Sequence, residues 1–183
     1  YPSVNIDHEG AALDAVNELI AAGHRDIAMI ACPLEDPYNG YARFQGYRRA
    51  LEAAGIPFRE ELVRIGNFRY DSGMETMEYF LGLPKRPTAV FSATDEMAIG
   101  AIHKIQDHGL KVPDDISVIS VDNTRIASMV RPQLSSVAPP MYDIGAVSMR
   151  LLTKLMKNES VDQSNVILPH QLIRRQSVSG ANA

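Results

Sequence analysis

Two short polar pairs, Thr94-Asp95 and Asp122-Asn123, each end an apolar run, and an arginine, Arg43, opens an amphipathic stretch upstream of both. Carboxylates accept hydrogen bonds from hydroxyls, while a guanidinium presents several donors in a planar fork. Brought together, these groups would suit a hydroxyl-rich or phosphorylated small molecule. Phe68, just beyond a short apolar stretch ending at Gly66, would add an apolar face to the same crevice or else belong to the core. Plainer roles stay open for each: Asp95 as a helix cap, Asp122 as a loop residue, Arg43 as a solvated surface cation.

A second constellation lies at residues 142–157. Asp143, Arg150, Lys154 and Lys157 recur at helical spacing beside an apolar stripe of Ile144, Val147, Leu151 and Leu155. Basic residues near a helix carboxyl end complement its dipole, so a solvated face accounts for them. The alternative is an anionic protein partner, docked by Arg150 and Lys154 with Tyr142 and Val147 as apolar anchors.

The elements that must position these groups follow from periodicity. Residues 88–93 and 116–121 are short runs rich in β-branched and aromatic residues, hence buried strands. Between them Met97, Ala98, Ala101, Ile102 and Ile105 mark a helix, with Asp95 placed to cap it and Gly109 to end it. In open sheets built from such βαβ units, ligands lie outside the carboxyl ends of the strands, where both polar pairs sit. Upstream, a helix through Ala12, Val16, Leu19 and Ile20 stops at Gly23, and strand 26–31 exits through a proline loop. A helix over 41–54 closes at Gly55, and Gly46 within it points to close packing against a neighbour. Strand 62–66 and helix 72–81 complete the repeat. The spacing predicts an α/β fold with a doubly wound parallel sheet. After Asp122 come an irregular turn at 126–132, a strand at 133–137, the helix at 142–157, and a last strand pair at 165–168 and 171–175. The tail, 179–183, is small and polar, which predicts disorder.

The chain has 183 residues, a net charge of −4 and one cysteine, Cys32. That length allows one domain or two small lobes, and the charge gives no overall footprint for nucleic acid. A disulfide framework is excluded, in keeping with a reducing compartment. No Gly-rich phosphate loop, nucleophile elbow or metal-ligand cluster occurs, so neither catalytic residues nor a metal or cofactor is expected. His8, His24 and His170 are scattered, and His103 and His108 fall on different helix faces. The opening segment, residues 1–7, reads as a strand with nothing before it to pair with, which predicts that the chain is an excised part of a longer protein.

Five ordered motifs resemble the LacI/GalR family of bacterial transcription regulators. They are Gly23-His24-Arg25-Asp26-Ile27-Ala28, Arg43-Phe44-Gln45-Gly46-Tyr47, Pro87-Thr88-Ala89-Val90-Phe91 with Thr94-Asp95, Val112-Pro113-Asp114-Asp115-Ile116, and Val121-Asp122-Asn123. Within the family, Met129-Val130-Arg131-Pro132-Gln133-Leu134 and the run from Pro140 to Lys154 are similar to regulators of carbon catabolite repression.

The resemblance implies a periplasmic-binding-protein-like fold of two lobes, of which this chain would hold the complete C-terminal lobe (8–136, with a final strand at 169–178) and remnants of the N-terminal lobe (1–7 and 137–168), followed by a tail at 179–183. It implies effector contacts at Arg43, Phe68, Thr94, Asp95 and Asp122, with a sugar phosphate as effector. It further implies a docking surface for HPr phosphorylated on a serine, with Arg150 receiving the phosphate and Met141, Tyr142, Asp143, Val147, Leu151 and Lys154 around it. A cytoplasmic homodimer follows, with residues 126–130 as an apolar subunit contact, and operator DNA reached only through a helix-turn-helix absent from this chain. The rival readings are an exported sugar-binding protein of the same fold and an enzyme on a doubly wound sheet.

Overall fold

The computed structural model describes residues 2–160 and 165–181. Its main body is a six-stranded sheet in the order β3-β2-β4-β5-β6-β8, comprising Val63–Ile65, Ile27–Ala31, Ala89–Ser92, Ser117–Val121, Ser135–Ala138 and Gln171–Ile173. The first five strands are parallel and β8 runs antiparallel to β6 at one edge. Every residue of β2, β4 and β5 is buried, because helices cover both faces, and these strands accordingly carry continuous apolar runs rather than alternation.

On one face Ala28, Ile30, Val90 and Val118 meet Met77 and Phe80 of α3 (Tyr70–Leu81) and Ile102 and Ile105 of α4 (Asp95–Asp107). On the other, Ile27, Met29, Phe91 and Ile119 meet Val16 and Leu19 of α1 (His8–Ala21) and Tyr47 and Leu51 of α2 (Arg43–Ala53). The expected close packing at Gly46 is present: a Cβ there would lie 2.2 Å from the Glu9 carbonyl of α1. Gly23, Gly55 and Gly109 follow α1, α2 and α4 in the left-handed conformation that ends a helix.

A separate two-stranded parallel sheet pairs β1 (Ser3–Ile6) with β7 (Asn165–Leu168), and α5 (Met141–Met156) packs on β1. The chain passes from this sheet into the main body at Asp7 and at Pro169-His170, and leaves the main body for α5 at Pro139-Pro140. Among the described residues no helix is long and apolar enough to cross a membrane.

Four expectations are corrected. The opening strand does have a partner, supplied by β7 from late in the chain; Tyr1 lies outside the described residues. The two last strands do not pair with each other but join different sheets. The helix expected over 41–54 is present as α2 over Arg43–Ala53, but the stretch before it, expected as loop, is a π-helical turn, Pro37–Ala42, that runs into it. Asp36 fixes that turn by accepting from Tyr38 N and Asn39 N, and only glycine fits at position 40, because a Cβ there would strike the Pro33 carbonyl. The tail is not loose through Ala181: Ser179 is bonded to Ser117 and His24, and Ala181 N donates to the Ala22 carbonyl at 2.8 Å. Asn182 and Ala183 lie outside the described residues.

Candidate functional site

The carboxyl ends of β4 and β5 open on a cleft of about 260 Å³ lined by Phe68, Thr94, Glu96, Ile99, Asp122, Thr124 and Ile126. Three of the expected effector residues, Phe68, Thr94 and Asp122, line it together, and Arg43 lies behind Asp122. Phe68 (φ +72°), Asp122 (φ +120°) and Asn123 (φ +49°) all adopt left-handed backbone, which costs roughly 1–3 kcal/mol per residue and has to be held by its surroundings. The holding groups are visible. Asp122 N donates to the Val137 carbonyl, Asn123 N donates to Ser136 Oγ at 3.0 Å, and Arg175 Nη2 donates to Asn123 Oδ1 at 2.6 Å.

Arg43 is not a surface cation. It is 1% exposed, its Nη1 donates to the Ala93 carbonyl, and its Nη2 lies 3.2 Å from Asp122 Oδ1. Its Nε meets no acceptor among the described residues. Sealing a guanidinium into a sheet edge is tolerable only with such compensation, since removal from water costs several kcal/mol per ion. Loss of hydration pushes the Asp122 carboxyl up to about 6; Arg43 pulls it down, and Asp95 nearby adds to the rise. At neutral pH Asp122 is an ionised acceptor with its side chain one-third exposed to the cleft.

Asp95 corrects two expectations. The cap of α4 is Thr94, whose Oγ1 accepts from Met97 N at 3.4 Å. The Asp95 carboxylate does not face the crevice: Oδ1 accepts from Ser120 Oγ (2.6 Å) and Ser136 Oγ (2.7 Å), and Oδ2 accepts from Thr124 N (2.6 Å) and Thr124 Oγ1 (2.8 Å). It is a buried latch tying β4, β5, β6 and the loop after Asp122 into one edge. Ser120, Ser136, Thr124, Glu96, Ile99 and Arg175 escaped sequence reasoning. The serines in otherwise apolar strands were the available signal, because a buried hydroxyl needs a partner. Cys32, buried nearby, is pushed up to about 12 by burial and stays a thiol. Among the described residues no group of three or more potential metal ligands gathers.

The second constellation is on α5, which has no buried residue. Val147, Leu151 and Lys154 are half-buried, and Leu151 lies against Pro2, Ser3 and Val4 at the start of the chain. Met141, Tyr142, Asp143 and Arg150 are exposed, Tyr142 at 86%. The helix thus divides the expected partner set between a seam on β1 and an open face. In the expected subunit contact, Ile126 and Met129 are exposed, whereas Ala127 and Val130 are buried.

A largely parallel α/β sheet with a cleft over the carboxyl edge of its strands has the layout in which open sheets of this class bind ligands. The chain belongs to the periplasmic binding protein-like domain family, whose sequence profile matches residues 16–178, in the branch found in LacI/GalR transcription regulators. It is 54% identical over 176 residues to Catabolite control protein A of Priestia megaterium, covering 96% of this chain and 53% of that protein. Among solved structures, the transcription regulator CcpA of Lactococcus lactis superposes with a TM-score of 0.91 at 41% identity, over 97% of this chain and 64% of that one. The transcriptional regulator CelR, in complex with cellobiose, gives 0.90 at 37% identity, over 96% and 54%. These relatives are transcription regulators, not enzymes. The chain spans about half the length of the curated relatives it matches.

Proposed function

We propose that the chain is the effector- and corepressor-binding part of a cytoplasmic, dimeric regulator of carbon catabolite repression. The observation that carries this reading is the likeness to Catabolite control protein A over nearly the whole chain, combined with an open cleft that holds Asp122 against the buried Arg43 beside the Phe68 ring. In this reading the cleft takes a sugar phosphate. Asp122 accepts from sugar hydroxyls, Thr94 and Thr124 contribute hydroxyl partners, and the Phe68 ring covers the apolar face of the sugar. The complex of CelR with cellobiose supports a carbohydrate as the ligand. The exposed face of α5 takes HPr phosphorylated on a serine, with Arg150 on the phosphate and Met141, Tyr142 and Asp143 beside it.

The mechanism is a shift in population between lobe arrangements: both ligands favour the arrangement that sets a helix-turn-helix, carried outside this chain, on operator DNA. The moving parts in this reading are the expected C-terminal lobe, residues 8–136 and 169–178, whose sheet extends through β6 to Ala138, and the group of β1, α5 and β7. The test is operator binding by the full-length regulator carrying this chain, with and without serine-phosphorylated HPr. Tighter binding in its presence is expected; an unchanged affinity would overturn the reading.

A further inference from the structure

Arg43 has more acceptors around it than a simple ion pair requires. Nη1 is engaged by the Ala93 carbonyl, while Nη2 is directed both at Asp122 Oδ1 (3.2 Å) and at Nδ1 of His8 (3.4 Å). His8 opens α1, and its ring rests on Tyr38 at a centroid distance of 5.5 Å and a 43° tilt. Tyr38 in turn is fixed by the Asp36 turn. Nδ1 accepts a hydrogen bond only in the neutral ring with its proton on Nε2. Burial and then the Arg43 charge lower His8 to about 4, whereas Asp36 and Asp7 favour its charged form and do not prevail. Two acceptors on two different elements therefore share one donor nitrogen.

We propose that His8 is a positioning residue of the cleft: by taking one Nη2 proton it holds the Arg43 guanidinium from turning fully onto Asp122, so the carboxylate stays available to a ligand hydroxyl. The ligand half of this statement rests on the effector reading above; the three-way balance is a property of the chain alone. Removing the imidazole frees the guanidinium to turn towards Asp122 and shorten its 3.2 Å contact. The ion pair tightens, the carboxyl becomes a stronger acid, and it is withdrawn as an acceptor. Asparagine at position 8 restores a neutral acceptor oxygen close to where Nδ1 sits, without a titration of its own.

The experiment is a carbon-13 NMR titration of the Asp122 carboxyl in the parent chain, His8→Leu and His8→Asn, paired with calorimetry using glucose 6-phosphate as probe. In His8→Leu the Asp122 midpoint is expected to fall by about one pH unit and probe affinity by about ten-fold, and in His8→Asn both return to the parent values. Should the leucine variant fail to fold, His8→Ser, too short to reach Nη2, carries the same expectation. An unmoved Asp122 midpoint in the leucine or serine variant would overturn the proposal. A midpoint that moves as expected while none of the variants, nor the parent, binds the probe would uphold the role of His8 and remove the sugar-phosphate reading instead.

Discussion

Asp95 and Asp122 follow neighbouring strands of the same sheet, yet their carboxylates are used in opposite ways. Asp95 is 1% exposed and accepts four hydrogen bonds from protein donors, while the Asp122 side chain is 33% exposed and its Oδ1 leans on Arg43. One acid builds the rim of the cleft and the other faces into it.

The latch can be tested by Asp95→Asn. An amide would place an NH₂ either against Thr124 N–H, a donor facing a donor, or against the two serine hydroxyls, whose protons then lose their carboxylate acceptor. The expected loss is about 2–4 kcal/mol, on the order of 10 °C in Tm. Thermal unfolding checks it, and a variant as stable as the parent would show that the four contacts are dispensable.

The pH dependence of stability carries two opposing signatures. Asp122 binds its proton more tightly when folded, up to about 6, than an ordinary carboxyl, so its contribution falls as pH rises from about 4 to 6. His8, lowered to about 4, is charged more readily in the unfolded chain, so its contribution is lost as pH falls from about 6.5 towards 4. The two partly cancel in the parent. Relative to His8→Asn the parent should lose stability on going from pH 6.5 to 4; relative to Asp122→Asn it should gain stability from pH 6 to 4. Denaturant unfolding across that range reads both differences.

Much of this architecture is legible from residue order, for physical reasons that also show where legibility ends. β2, β4 and β5 are readable because strands covered on both faces must be apolar throughout, and Gly23, Gly55 and Gly109 mark helix ends that need a left-handed residue. The turn at Pro37–Ala42 has no comparable signature, since it depends on Asp36 and on Gly40 lying under a backbone carbonyl. The partners of β1, β7 and β8 are set by tertiary connection across most of the chain. In the cleft, the polar pairs at the strand ends are visible, but the division between Asp95 and Asp122 depends on Ser120 and Ser136, whose hydroxyls stand out in apolar strands without showing which carboxylate they meet. The burial of Arg43 runs against the habits of arginine, and the part played by His8 depends on a contact between the first turn of α1 and the first turn of α2.

The α1–α2 crossing offers a separate check on the scaffold. Alanine at position 46 gains helix propensity but drives a methyl to 2.2 Å from the Glu9 carbonyl and 2.8 Å from Ala12 Cβ. The helices must separate, at a cost of about 1–3 kcal/mol that outweighs the propensity gain of up to about 1 kcal/mol. Gly46→Ala should therefore lower Tm, and an increase would contradict the packing described. Since His8 and Arg43 lie on these two helices, ligand affinity should fall along with stability.

The central claim, that this chain carries a corepressor dock as well as an effector cleft, is tested most directly by calorimetry with serine-phosphorylated HPr on the parent chain and on Arg150→Glu. Arg150 is exposed on α5, so the substitution should leave Tm within about 0.5 kcal/mol equivalent of the parent. Reversing the charge beneath a phosphate removes a charge-assisted pair and adds repulsion, and affinity should fall by at least about 100-fold. Undiminished affinity in the glutamate variant would contradict the account.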